Sequence, residues 1–268
     1  MAVDTLSLAG KTALVTGSSK ENGIGAAIAR AFARNGASVA IHHVSEGSRA
    51  GAEKLAVDIA REFGTKTTLV RGQVGDYNAA RSIVEQALQG LGVNHIDILI
   101  NNAGAGGAAS LLEITPELVE AEFTTNTFGP HYLTQAVVGI GKMPSGGRII
   151  NVGSIVSKMG LSDTAMYAAA KAAQDSLTAS WASELGHSHG ITVNSLAPGP
   201  IPTDTSRKFL KQADGSPTPL QLAMQAQTRA ADRLGTVEDM ADAALLLVSE
   251  KSRWITAQWI SVSGGINM

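Results

Sequence analysis

Residues 12–25 read TALVTGSSKENGIG, and this stretch decides the fold. Residues 12–16 (TALVT) form a short apolar run rich in β-branched side chains, the pattern of a buried strand. A glycine-rich turn follows, with Gly17, Gly23 and Gly25 placed around Ser19 and Lys20. Over residues 23–35, Ile24, Ile28 and Phe32 recur at i, i+4 and i+8, one face of an amphipathic helix. A glycine turn between strand and helix exposes backbone N–H groups, and the helix N-terminus adds partial positive charge. Together they suit a pyrophosphate. The plain alternative is a structural turn, because a glycine pattern alone has many causes.

The same rhythm continues outward. Further short apolar runs at residues 38–42, 67–70, 96–100, 148–152, 191–195 and 259–262 read as strands. Between them lie helical patterns at 48–63, with Gly64 as a stop, at 78–91 and at 165–186. Thr115-Pro116-Glu117 opens another helix, with a capping residue, a first-turn Pro and then an acid, and that helix is expected to reach Ile140. Strands without polar alternation imply a parallel sheet covered on both faces. Right-handed crossovers make it an α/β doubly wound sheet of about seven strands, with ligands beyond the carboxyl ends of the strands. Residues 198–231, rich in Pro, Thr, Gln and Asp, break the rhythm. The expectation is one domain over 1–268, with a substrate-binding insertion at about 200–231.

Composition narrows the function classes. The 268 residues are 44% hydrophobic and 16% charged, enough apolar material for a sizeable core. A net charge of −2 gives no general pull toward nucleic acid or an anionic membrane, and neither partner is expected. No cysteine is present, so disulfides, thiolate metal sites and a Cys nucleophile are excluded. No apolar run approaches the ~18 residues of a membrane span. Met1 to Asp4 lacks a signal-peptide pattern, and Gly265 to Met268 matches no simple address signal, so the expected location is cytoplasmic. His187-x-His189 lacks a third ligand, and no metal is expected.

Other marks follow in order: Asn101-Asn102-Ala103-Gly104, Asn126, Ser154, Tyr167-Ala168-Ala169-Ala170-Lys171, Pro198-Gly199, Arg233-Leu234-Gly235 and Ser263-Gly264-Gly265. With the glycine loop, they resemble the TGxxxGxG, NNAG and YxxxK pattern of the short-chain dehydrogenase/reductase family over nearly the whole chain. One departure stands out: five residues separate Gly17 from Gly23, where the family has three. The resemblance implies a Rossmann-type fold, an oxidoreductase activity and a nicotinamide cofactor.

Tyr167 and Lys171 are four apart on a helix and share a face. A free phenol has a pKa near ~10, and a neighbouring ammonium is expected to lower it. By the resemblance, Tyr167 is the general acid or base, Lys171 holds the nicotinamide ribose, and Ser154 donates to the substrate oxygen. Asn126 holds a water that links Lys171 to solvent. The resemblance also runs the cofactor along Gly17, Ser19, Lys20, Gly23, Ile24 and Gly25, then Gln73, Val74, Asn102, Ala103 and Gly104. Tyr167, Lys171, Pro198, Gly199, Ile201 and Thr203 complete the path. At the ribose end, residues 41–45 (IHHVS) carry no acid. His43 and Ser45 are expected to donate to a 2′-phosphate, with Lys20 or Arg49 supplying charge, which favours NADP(H) over NAD(H). The plain alternative is that both histidines cap the strand.

Small residues from Gly104 to Ala109 leave room for a bulky lipophilic ketone or secondary alcohol, or make a mobile lip. Ser157, Met159, Leu161 and Met166 are expected on one wall. A ketoreductase is the first expectation. An isomerase or dehydratase on the same fold and a non-catalytic NADP(H)-binding protein are the alternatives. The resemblance further implies a homotetramer, with a dimer second, and the Ala-rich helix permits close packing.

Overall fold

The computed structural model describes residues 6–266; Met1 to Thr5, with Asn267 and Met268, lie outside them. Its order is β1 (Thr12–Val15), α1 (Ile24–Arg34), β2 (Ser38–His43), α2 (Arg49–Phe63), β3 (Thr67–Arg71), α3 (Tyr77–Leu91), β4 (Ile98–Asn101) and α4 (Pro116–Phe123). Then come α5 (Gly129–Gly139), β5 (Arg148–Val152), α6 (Ala165–His189), β6 (Thr192–Pro198), α7 (Arg207–Leu210), α8 (Pro219–Gln225), α9 (Val237–Val248) and β7 (Trp259–Val262). Seven strands pair in the order β3-β2-β1-β4-β5-β6-β7, all parallel. The chain reverses its direction of winding between β1 and β4, so the crevice opens at their carboxyl ends.

Two apolar layers hold the sheet. Ile28 and Phe32 of α1 are fully buried in a layer that includes residues of α2 and α9. Each such side chain contributes about 1.5–3 kcal/mol by leaving water. The opposite layer packs α3, α5 and α6 on the other face, around Leu14, Leu99 and Leu133.

Local chemistry sets the helix ends. The Asp76 side chain accepts from Ala79 N–H at 2.7 Å and starts α3, and Thr115 caps α4 with Pro116 in the first turn. Gly64 and Gly190 end α2 and α6 in the left-handed conformation, at φ 66° and 67°. Several element ends shift by one to three residues, and three larger or more instructive differences from expectation stand out. The helix that begins at Pro116 is interrupted by a π-turn over Thr124–Phe128 before continuing as α5. β4 starts at Ile98, because the Asp97 carboxylate instead accepts from Thr12 N–H at 2.9 Å and pairs with Lys11. α9 follows a capping box of Thr236 and Asp239, a helix that the sequence pattern above does not include. The stretch after β6 carries the short helices α7 and α8 and one antiparallel bridge, Lys211 to Pro217.

Candidate active site

The glycine turn after β1 is built by close approaches. A Cβ on Gly17 would stand 2.8 Å from Ala103 Cα, and one on Gly25 would stand 2.5 Å from Asn102 Nδ2. Asn102 Nδ2 donates to the Thr16 and Gly17 carbonyls at 2.8 and 3.0 Å, which ties the turn to the end of β4. Thr16 Oγ1 accepts from the Asn102 and Ala103 N–H groups at 2.9 and 3.0 Å. Gly23 sits at the start of α1 with no side-chain cap, so first-turn N–H groups face the crevice.

A cleft of about 750 Å³ runs along the strand ends. Of the residues expected to meet a cofactor, Gly17, Ser19, Lys20, Gly23, Ile24, Gln73, Val74, Asn102, Ala103, Gly104, Tyr167, Lys171, Pro198 and Thr203 line it. Gly25, Gly199 and Ile201 do not line it. Gly25 and Gly199 are glycines for packing, since a Cβ on Gly199 would lie 2.8 Å from Ser263, and Ile201 is buried in the core. Thr205, Ser206 and Phe209, from the segment after β6, also border the cleft. Ser157, Met159, Leu161 and Met166, expected on one wall, do not line this cleft. Ser157 Oγ donates to Asp175 at 2.8 Å, and Met159 packs against Ile155 and Ala197.

His43 and Ser45 also need correcting. Successive strand side chains point to opposite faces. His42, Val44 and Ser48 line the cleft at this end; both histidines are buried, and His43, which does not line it, has its Nδ1 against the Ser45 carbonyl at 3.0 Å. Ser45 N–H donates to Ser48 Oγ at 3.1 Å. Arg49 is paired with Glu46 and Glu53. His42 Nδ1 accepts from Gly17 N–H at 3.0 Å and its Nε2 donates to the Gly72 carbonyl at 2.9 Å. Burial lowers its pKa to about 4, so the imidazole is neutral and braces the phosphate turn.

On the opposite side stand the chemical groups. Ser154 starts the turn after β5, close enough to the Tyr167 phenol to act on its ionisation. Lys171 lies one turn after Tyr167 on α6, with its Nζ 5.9 Å from the phenol ring centroid. That Nζ donates to the Val152 carbonyl at 2.7 Å and to Gln174 Oε1 at 3.4 Å. Burial lowers the Lys171 pKa to about 8, against the pull of Asp175 and Glu122. The expected depression of Tyr167 is not what this arrangement produces. Burial raises the phenol pKa, Ser154 opposes it, and the Glu122 charge raises it further. An anion beside Lys171 offsets the ammonium.

Asn126 is fully buried in the π-turn. Its Nδ2 donates to the Ala105 carbonyl at 2.8 Å and to the Glu122 carbonyl at 3.0 Å and carboxylate at 2.8 Å. Asp175 accepts from Ser157 and Ser195 at 2.8 Å each, and burial raises its pKa. His42, Glu122 and Asp175 are site residues that no sequence motif singles out. Only the fold brings their partners to them. Among the described residues, no group of three or more His, Asp or Glu is placed to hold a metal ion.

The model of a family described as enoyl-(acyl carrier protein) reductase matches residues 17–267. The chain is 36% identical over 261 residues to the short-chain dehydrogenase/reductase FrzI of Cladobotryum sp, covering 97% of both chains. The chain belongs to the short-chain dehydrogenase/reductase family. It is an oxidoreductase of that family. Among solved structures, a blue fluorescent protein from a metagenomic library, in complex with NADPH, is 34% identical with a TM-score of 0.85, covering 97% of this chain and 99% of that one. The angucycline C-6 ketoreductase LanV with bound NADP is 30% identical with a TM-score of 0.85, covering 97% and 96%. No helix among the described residues is long and apolar enough to cross a membrane.

Proposed function

We propose that this short-chain dehydrogenase/reductase is an NADP(H)-dependent ketoreductase, interconverting a ketone and a secondary alcohol on a bulky, lipophilic small molecule. The observation that carries the reading is the pair Tyr167 and Lys171 on one side of a cleft that continues past the glycine turn to the end of β2, with Ser154 next to Gly153 of the same wall and acting on the phenol.

The residues present fit a dinucleotide. The close-packed Gly17 and Gly23 leave a cradle at the start of α1, with Ser19 and Lys20 beside it. Among the described residues, no carboxylate lines the cleft near the end of β2, where His42, Val44 and Ser48 stand. That supports a 2′-phosphate, with Ser19, Ser48 and Lys20 as its donors in place of His43 and Ser45. When bound, the reduced nicotinamide supplies the hydride. Tyr167 gives its proton to the substrate oxygen, and Ser154 donates a hydrogen bond that strengthens as charge develops there. Lys171, cationic at neutral pH, replenishes the phenol and holds the ribose. Asn126 steadies the proton path on the far side of Lys171. The similar ketoreductase LanV supports the substrate class. A homotetramer fits the same reading, since the exposed face of α6 carries the small residues Ala172, Ser176, Ala179 and Ser183; light scattering at working concentration tests it.

The test is a fluorescence titration of the purified protein with NADPH and with NADH. It is followed by NADPH consumption with 9,10-phenanthrenequinone as a bulky carbonyl probe. Tight NADPH binding, weak NADH binding and one NADPH oxidised per carbonyl reduced are expected. NADH preference overturns the cofactor reading. Binding without oxidation, for this probe and a panel of aliphatic and aromatic ketones, overturns the activity.

A further inference from the structure

Glu122 is a carboxylate with 2% exposure, placed one turn before Asn126, and the chemistry above leaves it without a role. Its surroundings ask specifically for two acceptors. Oε1 accepts from Gly107 N–H, and Oε2 accepts from Asn126 Nδ2 at 2.8 Å. A carboxylate meets both donors. A carboxamide of the same shape must turn its NH₂ toward one of them.

Two consequences reach the reacting groups. First, the Asn126 amide nitrogen faces three acceptors, so its orientation is settled: Oδ1 points the other way, buried and without a hydrogen-bond partner. A Cβ on Gly104 would lie 3.1 Å from that oxygen and 3.7 Å from Lys171 Nζ, so the orphan acceptor and the Lys171 ammonium both approach Gly104 of the lip. Second, the bond to Gly107 holds the 104–109 lip down. Gly106 rests on Tyr167, where a Cβ would come within 3.3 Å of Cδ2, and a Cβ on Gly107 would strike Leu118 Cδ1 at 2.7 Å. The lip is small because it is pinned closely.

We propose that Glu122 is a positioning residue of the active site: its paired oxygens fix the Asn126 carboxamide and clamp the lip on Tyr167, and its charge acts on the Tyr167–Lys171 pair. The mechanistic meaning of this role rests on the activity proposed above. The titratable groups that act across the site on Glu122 are Lys171 and Tyr167 on α6; the lip contributes none, and Glu117 and Glu120 of α4 are exposed. Burial raises the Glu122 pKa, and Gly107, Lys171 and Asn126 hold it back.

The experiment uses the ligand-free protein and Glu122→Gln. Hydrogen exchange over residues 104–109 reads the clamp. Absorbance at 295 nm, with Tyr167→Phe as the blank, reads phenol ionisation. The variant is expected to exchange the lip at least tenfold faster and to ionise Tyr167 at lower pH, since a raising charge is gone. Unchanged lip exchange overturns the proposal, as does faster exchange with an unmoved phenol, which describes a local clamp only. If Glu122→Gln does not fold, Glu122→Asp keeps the charge and loses the reach. Faster lip exchange with a wild-type phenol titration is then expected, and wild-type exchange overturns the proposal. Failure of the wild type to bind NADPH defeats the proposed activity, yet both ligand-free readouts still decide on Glu122.

Discussion

Two walls of one cleft follow from the same sequence with different legibility. On the chemical wall, Tyr167 and Lys171 sit four apart on α6, with Ser154 near enough to act on the phenol. On the nucleotide wall, the end of β2 presents His42 and Val44 where His43 was expected. A helix places i and i+4 on one face and tolerates a boundary error of a residue or two. A strand alternates with period two, so a choice one residue off turns the side chain to the other side of the sheet. Identity and spacing therefore sufficed on one wall and not on the other.

The comparison breaks first on the chemical wall. Tyr167→Phe removes the proton donor and leaves the ring, so turnover is expected to fall by roughly 10²–10⁴ with NADPH affinity kept. Steady-state rates and the fluorescence titration check both halves. Retained turnover would mean that the phenol is only a helix contact. Ser154→Ala is next, with a loss of about 10² in kcat, because one donor to the developing charge is removed. An equal loss in NADPH affinity would place Ser154 in the cofactor site instead.

The sheet, its parallel strands and the chemical residues were legible because each rests on local pattern: apolar runs, caps and a repeat of four. What stayed hidden depends on distant partners. One Glu122 donor, Gly107, lies 15 residues away in sequence on a loop, and the π-turn that sets Asn126 itself contains the poor helix formers Thr124 and Thr125. The small residues of the lip suggest room or mobility when read from composition. Their reason is contact with Tyr167 and Leu118, which no composition reveals.

His42 sharpens the comparison through stability. Its pKa falls from an ordinary 6.5 to about 4 on folding, because burial disfavours the cation. The unfolded chain then takes up a proton more readily than the folded one. The stabilisation is present above pH 6.5 and is lost as pH falls toward 4. Between pH 7 and pH 5 the loss is roughly 2 kcal/mol. His42→Gln, which keeps an acceptor for Gly17 and a donor for Gly72, is expected to remove that part of the pH dependence. Urea denaturation at the two pH values measures it, and identical slopes in both proteins would show that His42 is not neutral in the fold.

The smallest expected effect tests the nucleotide wall most directly. His43 is buried, and its Nδ1 is held by the Ser45 carbonyl 3.0 Å away. It does not line the cleft, which its neighbours His42 and Val44 border. Replacing it with Ala deletes one local hydrogen bond, worth about 1 kcal/mol, and the packing of a buried ring, and is expected to cost no ligand contact. NADPH affinity and the NADPH-to-NADH ratio are therefore expected to stay within about twofold, while Ser48→Ala, which removes a hydroxyl lining the cleft, lowers the ratio. Parallel fluorescence titrations of the two variants decide it. If His43→Ala loses the preference and Ser48→Ala keeps it, the β2 end must turn over on binding, and a period-two argument from the free protein fails there.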